Sequence, residues 1–465
     1  MRDLIVALFI LGSMPLSFRK PFLGILMFSL LAYMRLQDLA WGFAQAQRWS
    51  MYLAVISVAG YMADSNRKMP VLNVRVLLLV LMVLHVGVGL FFAQGGPRVD
   101  FAAYQEFVKI IGIAIFTTAV VRTRSHLRIL VWVIALSLGF HGTKNGLFAT
   151  IKMGNLFISH GPGGMIRDNN DFALAVAMII PWIYYLAQSE TNPTLVRILK
   201  FMVPLCALTV ISTRSRGGTL SLAFMGALII WRSRNRLIGV ILGLFAVVVV
   251  VAMAPEEYKE RLGTIQSYEE DGSAMGRIRA WKVAFRMIDA HPLYGVGFNR
   301  FAINHLAFEP NPTLGQQSGH DALVAHNSYL QIWAEGGTPA FLIYLALMAG
   351  TFIDCWRVRW RAKKLYVDSW ILSYCSMFEV SLATFMLGSI FLNRAAFDLV
   401  YHLFAVVIVF GVVARRQMDE DEASSKRLPG GDGGEGSEGW LAPPMPVKQT
   451  PRFRRVALEG RGRRS

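Results

Sequence analysis

Acidic residues are scarce in this sequence. Only 17% of its 465 residues are charged, and 47 Lys and Arg outnumber 30 Asp and Glu, leaving a formal net charge of +17. Soluble domains carry about a quarter charged residues, so an ordinary soluble enzyme is a poor fit. Cysteine is scarcer still. Cys206, Cys355 and Cys375 lie in or beside apolar runs, and no pair has metal-ligand spacing. That excludes a readable disulfide framework or zinc site, and the three read as small apolar side chains in helices. The tail opens with four consecutive carboxylates, Asp419 to Glu422, while Asp168-Asn169-Asn170-Asp171 reads as a helix cap with a polar vestibule, or as a weak cation site. No metal site and no cofactor are expected.

What the chain has in abundance is unbroken apolar sequence, with 54% hydrophobic residues. Runs such as Val74 to Ala93 and Leu237 to Ala254 are long enough to cross the ~30 Å hydrocarbon layer as helices. The predicted spans are 3–18, 21–34, 49–63, 73–93, 105–121, 127–142, 171–187, 196–212, 218–231, 237–254, 338–355, 371–392 and 397–413. The expectation is therefore an all-α polytopic membrane protein with about twelve or thirteen transmembrane helices. The run starting at Leu4 has no small-residue cleavage site after it and reads as a retained span.

The excess of cations has a topological reading. Arg122, Arg124 and Arg128 form one cluster, Arg232, Arg234 and Arg236 a second, and Arg357, Arg359, Arg361, Lys363 and Lys364 a third, while Arg415 and Arg416 follow the last span. An even number of spans separates them, so all fall on one side, which the positive-inside rule makes the cytoplasm. Nucleic-acid binding is not needed to explain the charge. Segments 94–104, 143–170, 213–218 and 255–337 then face the opposite side. The chain divides into an N-terminal transmembrane region (1–195), a transmembrane core with a large periplasmic loop (196–415, loop 255–337), and a polar tail (416–465). The tail has too few apolar residues for a core and is expected to be disordered and cytoplasmic.

The loop 255–337 has internal order. From Ala274 to Ala290, Ile278, Trp281, Phe285 and Ile288 recur at helical spacing, with Arg277, Arg279, Lys282 and Arg286 on other faces. The spacing predicts an amphipathic helix. A short second helix should begin at Asn327 or Ser328 as N-cap and stop at Gly336-Gly337, with Pro339 opening the next span. Three groups here can hold an anion or move a proton. Arg216 sits in the turn Ser212-Thr213-Arg214-Ser215-Arg216-Gly217-Gly218, on the side where topology does not call for arginine. It is a guanidinium fork for phosphate or a snorkelling interfacial arginine. Arg277 is a second fork or a solvated helix face. His326 precedes a helix start, whose dipole favours anions and a neutral imidazole. It is a general base or an ordinary hydrogen-bonding loop residue, with His320 and Asp321 nearby to orient it.

Three segments taken in order, STRSRGG at 212–218, GRIRAWKVAFRMIDAHPLYGVGFNRF at 276–301 and AHNSYLQIWAEGG at 325–337, resemble the O-antigen ligase and polymerase family of bacterial envelope glycosylation. In the N-terminal half, GTKNGLFATIKMGN at 142–155 and HGPGGMIRDNNDFALAVAMIIPW at 160–182 look like the O-glycosylation ligases that accompany exosortase A systems. The resemblance implies a glycosyltransferase of the bacterial inner membrane, embedded in its lipids. Its donor would be a glycan on a polyprenyl pyrophosphate carrier, and its acceptor a protein, lipid or growing chain at the periplasmic face. It implies no nucleotide sugar and, for the ligases, no metal. The family's arginines fall on Arg216 and Arg277 and its loop histidine on His326. Arg279 is an alternative to Arg277, because Met275 stands where family members often have Ser. Arg214, Arg279, Asn327 and Lys144 are the accompanying substrate-binding candidates.

Two rivals stay open. A polymerase of repeat units would need the same donor site. A transporter or flippase of lipid-linked glycan would place ionisable groups near the midplane, whereas Glu106, Lys109, Glu379 and Asp398 lie mostly near span ends.

Overall fold

The computed structural model describes residues 2–94, 100–153, 155–233, 235–241, 243–244, 272–309 and 324–427. Among them the chain is helical, with no β-strand. Hydrocarbon offers no hydrogen bonds, so apolar runs must satisfy their own backbone groups, and helices do so within one segment. The main helices are α1 (Arg2–Arg19), α2 (Pro21–Tyr33), α3 (Trp49–Ala63), α4 (Val74–Gly89), α5 (Asp100–Val120), α6 (Arg124–Ile151), α7 (Asn169–Ser189), α8 (Pro193–Ser212), α9 (Arg216–Arg232), α10 (Gly272–Ala290), α11 (Ser328–Leu365), α12 (Trp370–Gly388) and α13 (Asp398–Arg427). Among the described residues eight helices are long and apolar enough to cross a membrane, and Pro21–Tyr33 and Trp49–Ala63 are shorter apolar ones. The protein is an all-α polytopic membrane protein. The expected span 237–254 lies mostly outside the described residues, as do His320 and Asp321.

Burial sorts the helices. In α7 and α13, 83% of the apolar window is enclosed, against 33% for α8. A helix apolar all round belongs in the middle of a bundle, so α7 and α13 form the centre and α8 presents much of its surface to lipid. Central helices are also tied by polar bonds. Trp182 Nε1 donates to Ser381 Oγ (3.0 Å), which donates to the Met178 carbonyl (2.8 Å).

The basic clusters do gather at one end. Arg75 pairs with Asp354, and Arg415 pairs with the same carboxylate at 2.6 Å. Arg232 and Arg359 share Glu379 (2.8 and 2.7 Å). Arg128 pairs with Glu190, and the Arg124 guanidinium lies over the Trp370 ring.

Of the boundaries that differ from expectation, two are set by tertiary partners. The helix predicted to end at 142 runs on to Ile151, because α6 continues to pack along α8, where Thr209 Oγ1 donates to the Gly142 carbonyl. The tail expected to be disordered from 416 begins as a helix that reaches Arg427. Arg361 pairs with Asp419 (2.6 Å) and Glu422 (2.9 Å), Tyr366 donates to Asp421, and Trp370 Nε1 donates to Gln417 (3.1 Å). Residues 428–465 lie outside the described residues.

At the opposite end, α10 and the first turns of α11 build a second apolar core from Val283, Met287, Ile288, Val296, Phe301, Ala325, Leu330 and Ala334. Helix α10 is amphipathic, but its buried face is not the expected stripe of Ile278, Trp281, Phe285 and Ile288, of which only Ile288 is fully buried. It buries Val283, Ala284 and Met287 and exposes Lys282, Phe285 and Arg286. Helix α11 breaks at Gly337, whose φ of 74° and ψ of 178° are non-helical. A Cβ there would fall on the Leu293 carbonyl, so only glycine fits. The break separates the short helix expected at 327–337 from the long span that follows.

Candidate active site

Four stretches of chain meet at the end of the bundle remote from the basic clusters. The first is the start of α7. Asp168 caps it, its Oδ1 accepting from the Asn170 amide at 2.8 Å, and Asn169 Nδ2 donates to the Thr213 carbonyl at 3.1 Å. The second is the turn between α8 and α9. Ser215 caps α9 by accepting from the Gly218 amide (3.1 Å), and Arg214 adopts φ 54°. Gly218 is required here because a Cβ would stand 2.6 Å from that of Ala173, so its absence lets α9 close on α7. Arg216 is then the first residue of α9, exposed, beside the amides of a helix start that favours anions.

The third stretch is α10 with the residues before α11. Trp281 Nε1 donates to the Ala325 carbonyl (3.1 Å), which fastens α10 against the segment bearing His326. Asn327 caps α11, its Oδ1 accepting from the Tyr329 and Leu330 amides (2.9 and 3.1 Å). His326 itself takes φ 46°, a left-handed conformation unusual for a side chain other than glycine or asparagine, and is half-buried. Burial first, and the Arg277 guanidinium second, hold its imidazole below the ordinary value, while Asp168 acts in the opposite sense. His326, Arg277 and Asp168 therefore share one electrostatic environment. The imidazole stays neutral at physiological pH, as a proton acceptor must.

The fourth stretch is the turn between α12 and α13. Phe391 packs over Gly217, next to Arg216. The Ser328 amide donates to the Ser389 carbonyl (2.8 Å), and Ser328 Oγ donates to the Leu392 carbonyl (2.8 Å). This turn is the wedge between the Arg216 element and the His326 element.

The remaining sequence candidates are distributed differently. The Arg279 guanidinium pairs with Glu309 at 2.6 Å, which leaves the half-buried Arg277 as the arginine of α10 facing His326. Arg214 lies 5.2 Å over the Phe157 ring. Asn327 is buried and its carboxamide oxygen is used by the helix cap. Lys144 sits exposed on α6, within electrostatic reach of His141 together with Asp38 and Arg35.

Two features were not singled out from the sequence. Arg394 pairs with Asp171 across the centre of the cluster. Glu335, 4% exposed, accepts from the Phe301 amide (3.1 Å) and from Gln331 Nε2 (3.3 Å). With Val296 N donating to the Ala334 carbonyl (2.8 Å) and Thr338 N to that of Pro292 (2.7 Å), it clasps the turn after α10 to the helix after His326. The clasp holds the C-terminal end of α10 to α11, and the Trp281 bond to Ala325 holds the end that carries Arg277.

A half-buried imidazole within electrostatic reach of one guanidinium, joined through the α12–α13 turn to a helix start that carries a second arginine, suits an anionic leaving group and an acceptor hydroxyl. Residues 201–345 match the O-antigen ligase family. The O-antigen ligase match contains Arg216, Arg277 and His326, and it supports a glycan-transferring ligase activity. Residues 1–191 match a second family, described only as being of unknown function. No curated protein matches the chain.

Proposed function

We propose that this protein transfers a glycan from a polyprenyl pyrophosphate carrier to an acceptor hydroxyl at the periplasmic face of the bacterial inner membrane, as an O-glycosylation ligase of the kind that accompanies exosortase A systems. The observation that carries the reading is the shared environment of His326 and Arg277 inside the segment that matches the O-antigen ligases.

In this mechanism Arg216 and Arg277 hold the diphosphate through charge-assisted hydrogen bonds. His326 takes the proton of the acceptor hydroxyl as its oxygen attacks the anomeric carbon. The bond from that carbon to the diphosphate oxygen breaks, and the electron pair leaves on the polyprenyl diphosphate, whose new charge the two guanidinium groups stabilise. Removing one such preorganised donor costs on the order of 10²–10³ in rate, and removing the base about 10²–10⁴. As the resemblance implies, no nucleotide sugar, metal or cofactor enters the scheme. The remaining partners are the glycan acceptor and the surrounding lipid.

The test is glycan transfer by the purified full-length protein in lipid nanodiscs supplied with a polyprenyl pyrophosphate-linked oligosaccharide. The expected product is an acceptor carrying the glycan, lost in His326→Ala and Arg277→Gln. Wild-type transfer rates in His326→Ala would remove the base. A ladder of repeat lengths on the carrier would assign polymerisation instead.

A further inference from the structure

Arg394 occupies the turn between α12 and α13, at the centre of the four stretches that form the candidate site. Its own amide donates to Ser328 Oγ at 2.9 Å, two residues from His326, and the next amide, of Ala395, donates to Gln331 Oε1 at 3.2 Å. Three residues earlier in the same turn, Phe391 covers Gly217 beside Arg216. The position is thus fixed between the elements that carry His326 and Arg216.

The guanidinium is only partly used by the protein. One terminal nitrogen pairs with Asp171, whose side chain is 5% exposed, while the Arg394 side chain keeps 28% of its surface open. The Nε of Arg394 is buried and has no hydrogen-bond partner among the described residues. The exposed part of the side chain carries the donors that an anion from elsewhere can reach. An arginine has five N–H donors in a rigid fork suited to phosphate oxygens. Asp171 fixes the orientation of that fork and leaves the remaining donors for another anion.

We propose that Arg394 is a third guanidinium of the donor site, one that binds a phosphate oxygen of a lipid-borne phosphate through the exposed part of its fork, with Asp171 as its anchor. The inference rests on the glycan-transfer reading. Two lipids present this chemistry at a membrane surface, the polyprenyl diphosphate and an anionic phospholipid headgroup.

The experiment measures binding of a long-chain polyprenyl diphosphate and of the matching polyprenol to the full-length protein. Nanodiscs of phosphatidylcholine alone are compared with nanodiscs containing phosphatidylglycerol. Wild type should prefer the diphosphate over the alcohol. Arg394→Gln should weaken diphosphate binding by about 10- to 100-fold, the scale of one or two charge-assisted bonds, and leave polyprenol binding unchanged. Arg394→Lys keeps the charge and an ion pair to Asp171 but lacks the fork, and should show an intermediate loss; it carries the test should the Gln variant fail to fold. A loss confined to phosphatidylcholine discs and relieved by phosphatidylglycerol would assign the phosphate to the headgroup. Unchanged diphosphate affinity in both variants overturns the inference. A wild-type protein that does not distinguish diphosphate from alcohol overturns the donor reading itself, a separate outcome.

Discussion

The Glu335 clasp makes a quantitative prediction. Glu335→Ala removes the acceptor of two buried donors, the Phe301 amide and Gln331 Nε2. Each unsatisfied donor costs roughly 1–3 kcal/mol, and part of this is recovered because a carboxylate no longer has to be buried. The net loss should be about 2–3 kcal/mol. It should be local, since the Val296–Ala334 and Pro292–Thr338 backbone bonds and the apolar contacts of Val296 and Phe301 remain. Local opening free energies are read by amide hydrogen exchange. In the variant, amides of 295–304 should exchange roughly 30- to 150-fold faster, while those of α7 and α12 keep their wild-type rates. Glu335→Gln retains one acceptor and should lie between. Transfer activity should fall with exchange, because the C-terminal end of α10 loosens against α11. Unchanged exchange at 295–304, or equal acceleration throughout the bundle, would refute the idea that this carboxylate fastens α10 to α11.

The histidine supplies a pH test. Its folded value lies below the ordinary 6.5, so the base form should persist to lower pH than a free imidazole allows, with the acid limb of activity below pH 6.5. Arg277→Gln removes a cation that disfavours the imidazolium, so the His326 titration followed by NMR should move upward while burial still holds it under 6.5; a titration unmoved or displaced downward would contradict the proximity of the two groups. By linkage the unfolded chain binds this proton first, so His326 should subtract stability as pH drops below 6.5, and His326→Ala should flatten that slope in thermal denaturation. Gly337→Ala places a side chain at φ 74° against the Leu293 carbonyl; a loss of at least ~1–3 kcal/mol should appear as a lower melting temperature in detergent, and wild-type stability would show that the kink tolerates a Cβ. Asp354→Ala strands Arg75, whose side chain is 5% exposed, together with Arg415; losing the shared partner of a buried pair should cost about 3–5 kcal/mol, without moving the pH profile of transfer.

Eight of the thirteen predicted spans are helices long and apolar enough to cross a membrane among the described residues, and they are legible because the signal is local: a run of apolar residues must become a helix in hydrocarbon wherever it lies. Arg216, Arg277 and His326 are legible for a different reason, since each stands in a short motif at a helix start or on a helix face. What resists reading depends on partners distant in sequence. The continuation of α13 to Arg427 hangs on Arg361 and Tyr366, some fifty-five to sixty residues earlier. Glu335 looks like one more polar residue of a helix until Phe301 is brought beneath it. Asp171 reads as part of a vestibule, and only the fold pairs it with Arg394, 223 positions away. One clue was available. The reasoning that singled out Arg216, an arginine on the side where topology does not ask for one, applies equally to Arg394.

The carboxylate of Asp354 is grasped by Arg75 of α4 and Arg415 of α13, and Glu379 of α12 by Arg232 of α9 and Arg359 of α11. Five helices are therefore riveted together at the pole opposite the candidate site. Any rocking of these five helices against one another would have to break four ion pairs at that pole.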